Sequence, residues 1–184
     1  MGRTDASNLQ TYDALSKWFH WLMALLIIGL MVLGMYVEQL PFSPEKLKLI
    51  SWHKWGGICA LILVVIRLLW RGTRKPLPAI ETIAPWQQLG ASVTHVLLYL
   101  LMIVIPLSGW VMSSAKGVPT VLFGLWKLPD LVSRNLPLGD ILMQVHWALN
   151  LLLIAILVLH IAAAVKHHYI DKDPVLRRML PKTR

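Results

Sequence analysis

With 184 residues, 57% of them hydrophobic and only 15% charged, at a mean hydropathy of +0.61, the chain is too apolar for a water-soluble domain, where about a quarter of residues are charged. Its net charge of +9 is scattered along the ends of apolar segments and not gathered on one face, which argues against nucleic acid as a partner. What is left is a membrane protein with almost no soluble part.

The first apolar segment, about Trp18–Val37, follows a mostly polar lead of seventeen residues and begins with His20 near its start. It is too long for a signal-peptide core and has no small-residue cleavage site directly after it, so it reads as a retained span. The second, about Trp52–Trp70, opens on His53 and contains Cys59, the only cysteine, so no disulfide framework exists. The third, about Ser92–Ser113, opens near His95; the fourth, about Val145–Val165, carries His146 and His160. About 20 helical residues cross a hydrocarbon core, and backbone in lipid must satisfy its own hydrogen bonds, so each segment predicts a transmembrane helix. The fold class is therefore all-α, a four-helix transmembrane bundle, with residues 1–184 leaving room for one domain and no second.

Four spans put both termini on one side. The N-terminal lead, the second loop and the C-terminal tail carry twelve of the basic residues (Arg3, Lys17, Arg67, Arg71, Arg74, Lys75, Lys166, Lys172, Arg177, Arg178, Lys182, Arg184). The first and third loops carry six: Lys46, Lys48, Lys54, Lys116, Lys127 and Arg134. The imbalance predicts cytoplasmic termini, with the tail solvated or touching lipid headgroups.

In the fourth span, thirteen almost wholly apolar residues separate two histidines. Fourteen steps of about 100° come within about 40° of four full turns and rise about 21 Å, so His146 and His160 share one helix face near its opposite ends. Polar residues inside spans are costly, face the bundle interior and mark function. Matching depths pairs His53 with His146 on the outer side, and His160 with either His20 or His95 on the inner side. Two histidines on facing helices supply what a bis-imidazole haem iron needs. No C-x-x-C-H attachment motif occurs, which predicts non-covalent b-type haem. Gly56, Gly57 and Gly109 leave room for a flat macrocycle or for close helix packing.

The stretches "SKWFHWLMALL", "SWHKWGGICALILVVIRLLWR", "THVLLYLLMIVIPLSGWVMS" and "HWALNLLLIAILVLHIAAAVKHHYIDKDPVLRRMLP" together resemble the bacterial cytochrome b561 family, a domain type shared with the cytochrome b subunits of membrane hydrogenases and formate dehydrogenases. The resemblance implies two stacked haems b. It implies His20 with His160 as ligands of the inner iron and His53 with His146 of the outer one, leaving His95 aside. It also implies quinone, ubiquinone or another, as the lipid-soluble partner.

A quinone site needs donors near the inner haem at headgroup depth, and Arg71, His95, Lys166, His167, His168 and Tyr169 are the candidates. A positive outer surface, where six basic residues outnumber Glu45, Asp130 and Asp140, suits a small anionic donor. Some members of the family it resembles look like superoxide oxidases, which makes superoxide one expected donor, and a protein donor is the other reading. The rivals to a self-contained quinone-linked cytochrome are the electron-relay anchor of a multi-subunit dehydrogenase and a haem-free histidine-lined transporter. The last fits poorly, because the only acidic residue near a span is Glu38.

Overall fold

A computed structural model of the chain describes residues 10–78, 80 and 82–181. Four helices dominate it: α1 (Ala14–Gln39), α2 (Pro44–Gly72), α3 (Pro85–Ala115) and α4 (Leu136–Tyr169). All four are long and apolar enough to cross a membrane, and each contains the span predicted for it. The helices overrun those spans because hydropathy marks only what sits in hydrocarbon, whereas capping chemistry fixes where the backbone starts to coil. Asp13 accepts from the Ser16 amide, Ser43 from that of Lys46 and Asn135 from that of Leu138, with prolines in the first turns of α2 and α4. In α2 this adds two turns, with charged Glu45, Lys46 and Lys48, ahead of Trp52.

Packing among the helices is uneven. α3 lies closely along α4, α1 along α2, and α2 more loosely along α3. Among the described residues α4 shares no such seam with α1 or α2. Its histidines face those two helices across a gap. The buried core is small and sits at mid-depth: Leu101 and Ile105 of α3 against Leu153 of α4, with Ile27, Met31, Leu98, Leu149 and Ile156 around them. Most remaining apolar side chains point outward, as a lipid-facing bundle requires.

Both ends of the bundle are tied. At the hairpin end, strands β1 (Val121–Leu122) and β2 (Trp126–Lys127) pair in antiparallel register, Val121 opposite Lys127. The Trp55 indole N–H donates to the Val121 carbonyl at 2.6 Å, that of Trp110 to Pro129 at 3.1 Å, and the Lys54 ammonium to Val118 at 3.2 Å. These bonds fold the loop between α3 and α4 over α2.

At the tail end, the chain leaves α4 at Tyr169, makes a short 3₁₀ turn (Leu176–Arg178) and closes on the N-terminal helix. The Trp21 indole donates to the Met179 carbonyl at 3.0 Å and Arg178 to the Pro78 carbonyl at 2.9 Å. Buried Asp173 holds the turn in place: one carboxylate oxygen meets His167 Nδ1, and the other accepts from the Val175 amide. Removing a buried, charge-assisted acceptor costs about 2 kcal/mol. Asp173→Ala is therefore expected to lower the melting temperature and to make the segment after Ile170 cleavable by protease in the folded protein, read by thermal shift and limited proteolysis.

Candidate functional site

The histidines of the spans meet at two depths. Near the hairpin end, the rings of His53 (α2) and His146 (α4) have centroids 6.4 Å apart with planes at 80°. Near the tail end, His20 (α1) and His160 (α4) are 6.2 Å apart at 63°. His95 (α3) also lies beside His160, at 5.4 Å. Depth matching left His20 and His95 as rival partners of His160, and the structure sets both beside it. The four rings of the two facing pairs are half-buried, whereas His95 is exposed at the bundle surface.

An imidazole nitrogen binds a first-row metal at about 2 Å and lies about 1 Å from its own ring centroid, so two rings bound trans to one ion have centroids about 6 Å apart. Both cross-gap pairs fall at that separation, and the His95–His160 pair is closer. The ring of His146 is also oriented. Its Nδ1 lies 2.9 Å from Ser108 Oγ and 3.1 Å from the Ile105 carbonyl, while the Ser108 hydroxyl donates to that same carbonyl at 2.7 Å. With two acceptors at Nδ1 the proton belongs there, which leaves the Nε2 lone pair free to bind a metal. Pro106, inside α3, has no amide to give the Met102 carbonyl, so the helix lacks one bond in the turn before it.

Two glycines make the close approach possible. A Cβ on Gly34 would come within 3.1 Å of His53 Cε1, and one on Gly109 within 3.2 Å of His146 Cε1. Each imidazole at the hairpin end thus rests against bare backbone from the neighbouring helix. Gly56 faces Leu30 instead, and Gly57 faces open space. Two paired imidazoles at metal-bridging separation, one with its tautomer fixed, beside a gap between helices, fit a bis-histidine macrocycle at each depth.

The tail-end site contains residues that the sequence reading had treated as topology charges. Arg67 Nη2 lies 3.3 Å from His20 Nδ1, and the guanidinium sits 5.4 Å above the Tyr99 ring. Arg71 flanks the same ring at 5.4 Å. A signal for Arg67 was present. It follows His53 by fourteen residues, as His160 follows His146, and Gly34 and Gly109 follow His20 and His95 by the same interval. Each helix therefore presents one face at two depths, four turns apart. The hairpin-end level carries Gly34, His53, Gly109 and His146; the tail-end level carries His20, Arg67, His95 and His160.

The other residues named as quinone contacts divide. Arg71 and His95 sit by the tail-end site. Lys166 is paired with Asp171 at 2.6 Å, and His167 is held by Asp173 and Asp171, so both serve the tail closure. The His168 ring stacks edgewise on Tyr169 at 4.7 Å, its buried Nδ1 without a partner among the described residues. At the hairpin end, Lys46 donates to the Leu40 carbonyl, Lys54 to Val118, and Lys116 pairs with Asp140 at 3.0 Å.

Comparison with known proteins supplies the family. A sequence model of a family described as prokaryotic cytochrome b561 matches residues 11–182. The chain is 34% identical over 181 residues to cytochrome b561 homolog 2 of Escherichia coli K12, covering 95% of this chain and 93% of that protein. It is 34% identical over 178 residues to the probable superoxide oxidase CybB of Yersinia pestis, covering 94% and 97%. Cytochrome b561 homolog 1 of E. coli K12 is 29% identical over 133 residues, 71% and 73% of the two chains.

Proposed function

Since the chain belongs to the prokaryotic cytochrome b561 family, and is thus a multi-pass membrane b-type cytochrome of electron transfer, we propose that it holds two haems and carries single electrons between the two faces of the bacterial inner membrane. His20 and His160 ligate one iron and His53 and His146 the other. The observation that carries this reading is the pair of imidazole separations, 6.2 and 6.4 Å, across a gap between helices. Bound haem supplies reversible one-electron chemistry at a potential that its ligands and their surroundings tune.

The chain's own residues position and insulate. Ile105 and Ser108 aim His146, Gly34 and Gly109 admit the rings, and the Leu101–Ile105–Leu153 layer separates the two depths. The excess of basic residues at the tail end supports a reading with that end, and both termini, in the cytoplasm. A quinone docks there, with exposed His95 and Arg71 offering donors to its carbonyl oxygens at headgroup depth.

The electron donor works at the hairpin end. Superoxide is the donor favoured by the similarity to a probable superoxide oxidase. Lys48, Lys127 and Arg134 supply the attracting charge there.

The test is an optical spectrum of the detergent-purified protein, oxidised and dithionite-reduced, with a pyridine-haem count. Two haems b per chain with sharp low-spin reduced bands are expected. A folded protein with no haem overturns the proposal.

A further inference from the structure

The two histidine pairs differ in the charge that touches a proposed ligand. At the hairpin end, His146 Nδ1 meets two acceptors, Ser108 Oγ and the Ile105 carbonyl. The cation nearest in sequence, Lys54, donates to the Val118 carbonyl in the loop. At the tail end, the Arg67 guanidinium stands 3.3 Å from His20 Nδ1 and acts on the site through its charge. Arg67 is half-buried between Met23 Sδ at 3.7 Å and the Tyr99 ring. It forms no ion pair with a carboxylate among the described residues, since the ion pairs found there all involve Lys116, Lys166 or His167. An arginine in so apolar a setting keeps its proton at any working pH.

Resting on the di-haem reading above, we infer that Arg67 raises the reduction potential of the site between His20 and His160 above that of the site between His53 and His146. Two effects act in the same direction. Acceptors at the outer nitrogen of a ligating imidazole make it more basic, which favours the ferric state. A fixed cation beside the other site stabilises the state with one more electron. A unit charge on the order of 8 Å from a metal, at an effective dielectric of about 20, changes a one-electron equilibrium by about tenfold or more. Tenfold corresponds to about 59 mV. Neither glycine at the hairpin-end level can supply such a charge. Arg67 thereby biases an electron shared between the sites toward the tail end, where His95 and Arg71 lie.

The experiment is spectroelectrochemical titration of haem-loaded protein in nanodiscs. His146→Ala and His20→Ala each isolate one site, and each is combined with Arg67→Gln, Arg67→Met and Arg67→Lys. The site left in the His146→Ala protein is expected to have the higher potential. Arg67→Gln should lower it by about tenfold in equilibrium (about 59 mV), and Arg67→Lys should retain most of the value. In the His20→Ala background Arg67→Gln should change the potential less than twofold.

A tail-end potential that moves less than twofold, or that starts below the hairpin-end one, overturns the inference. So does loss of tail-end haem from both neutral variants, which would make Arg67 a haem-holding residue instead. A wild-type protein without two haems would refute the underlying reading, an outcome seen in the haem count before any titration.

Discussion

Replacing His146 by alanine is expected to leave the purified protein with one haem per chain in place of two, its remaining low-spin spectrum that of the tail-end site. The ring of His146 faces His53 at 6.4 Å, and among the described residues no other imidazole stacks beside either. Without it only His53 would hold a haem there, and a haem held by a single residue would wash out during purification. The tail end behaves differently, because two rings flank His160, at 6.2 and 5.4 Å. There His20→Ala is expected to remove a haem and His95→Ala to keep both. The physical distinction is location: His20 lies across the gap that a macrocycle would occupy, whereas His95 sits on α3, the helix that already packs along α4. A pyridine-haem count of the three variants decides the matter, and a His95→Ala protein that loses a haem would reassign the ligand.

The second large effect needs no change at a histidine. Gly109→Leu is expected to abolish haem binding at the hairpin end while the helices stay folded. Even a methyl group at Gly109 would stand 3.2 Å from His146 Cε1, forcing the ring to give by a few tenths of an ångström. A leucine places several more atoms in that direction, and the ring cannot retreat without leaving the Ser108 and Ile105 oxygens that aim it. Gly109→Ala should therefore weaken retention and Gly109→Leu remove it, while Gly57→Ala, which meets open space, leaves the count unchanged. Circular dichroism of the three proteins, read beside the haem count, separates a displaced ligand from a disrupted bundle.

The four helices were legible because the bilayer imposes length and apolarity on each of them at once, a demand few soluble sequences meet. Depth was legible for the same reason, so the sequence places His53 level with His146, and His20 and His95 level with His160. What lay beyond it was the neighbourhood of the rings. Arg67, read as one more positive charge at a cytoplasmic helix end, turns inward onto His20, and only its fourteen-residue offset from His53 hinted at this. Gly34 and Ser108 have ordinary packing roles in most helices. Their work here depends on which helix stands opposite, a fact of tertiary structure.

The loop closures were out of reach for a related reason. Trp55 with Val121 and Trp21 with Met179 join residues far apart in the chain, and Lys166 and His167, read as quinone contacts, are drawn into the tail closure.

Leu153 stands seven residues from each histidine of α4, buried with Leu101 and Ile105, so an apolar layer stands between the two polar levels. Hydrated ions and protons need a continuous chain of polar partners, and this layer offers none. An electron requires only proximity and can tunnel through it. On the proposed di-haem reading, charge would cross the insulator alone, without a compensating proton, and each transfer would work with or against the membrane voltage by about 2.3 kcal/mol per 100 mV for a full crossing. The protein would thus be electrogenic, its turnover rising or falling with the potential of the cell that holds it.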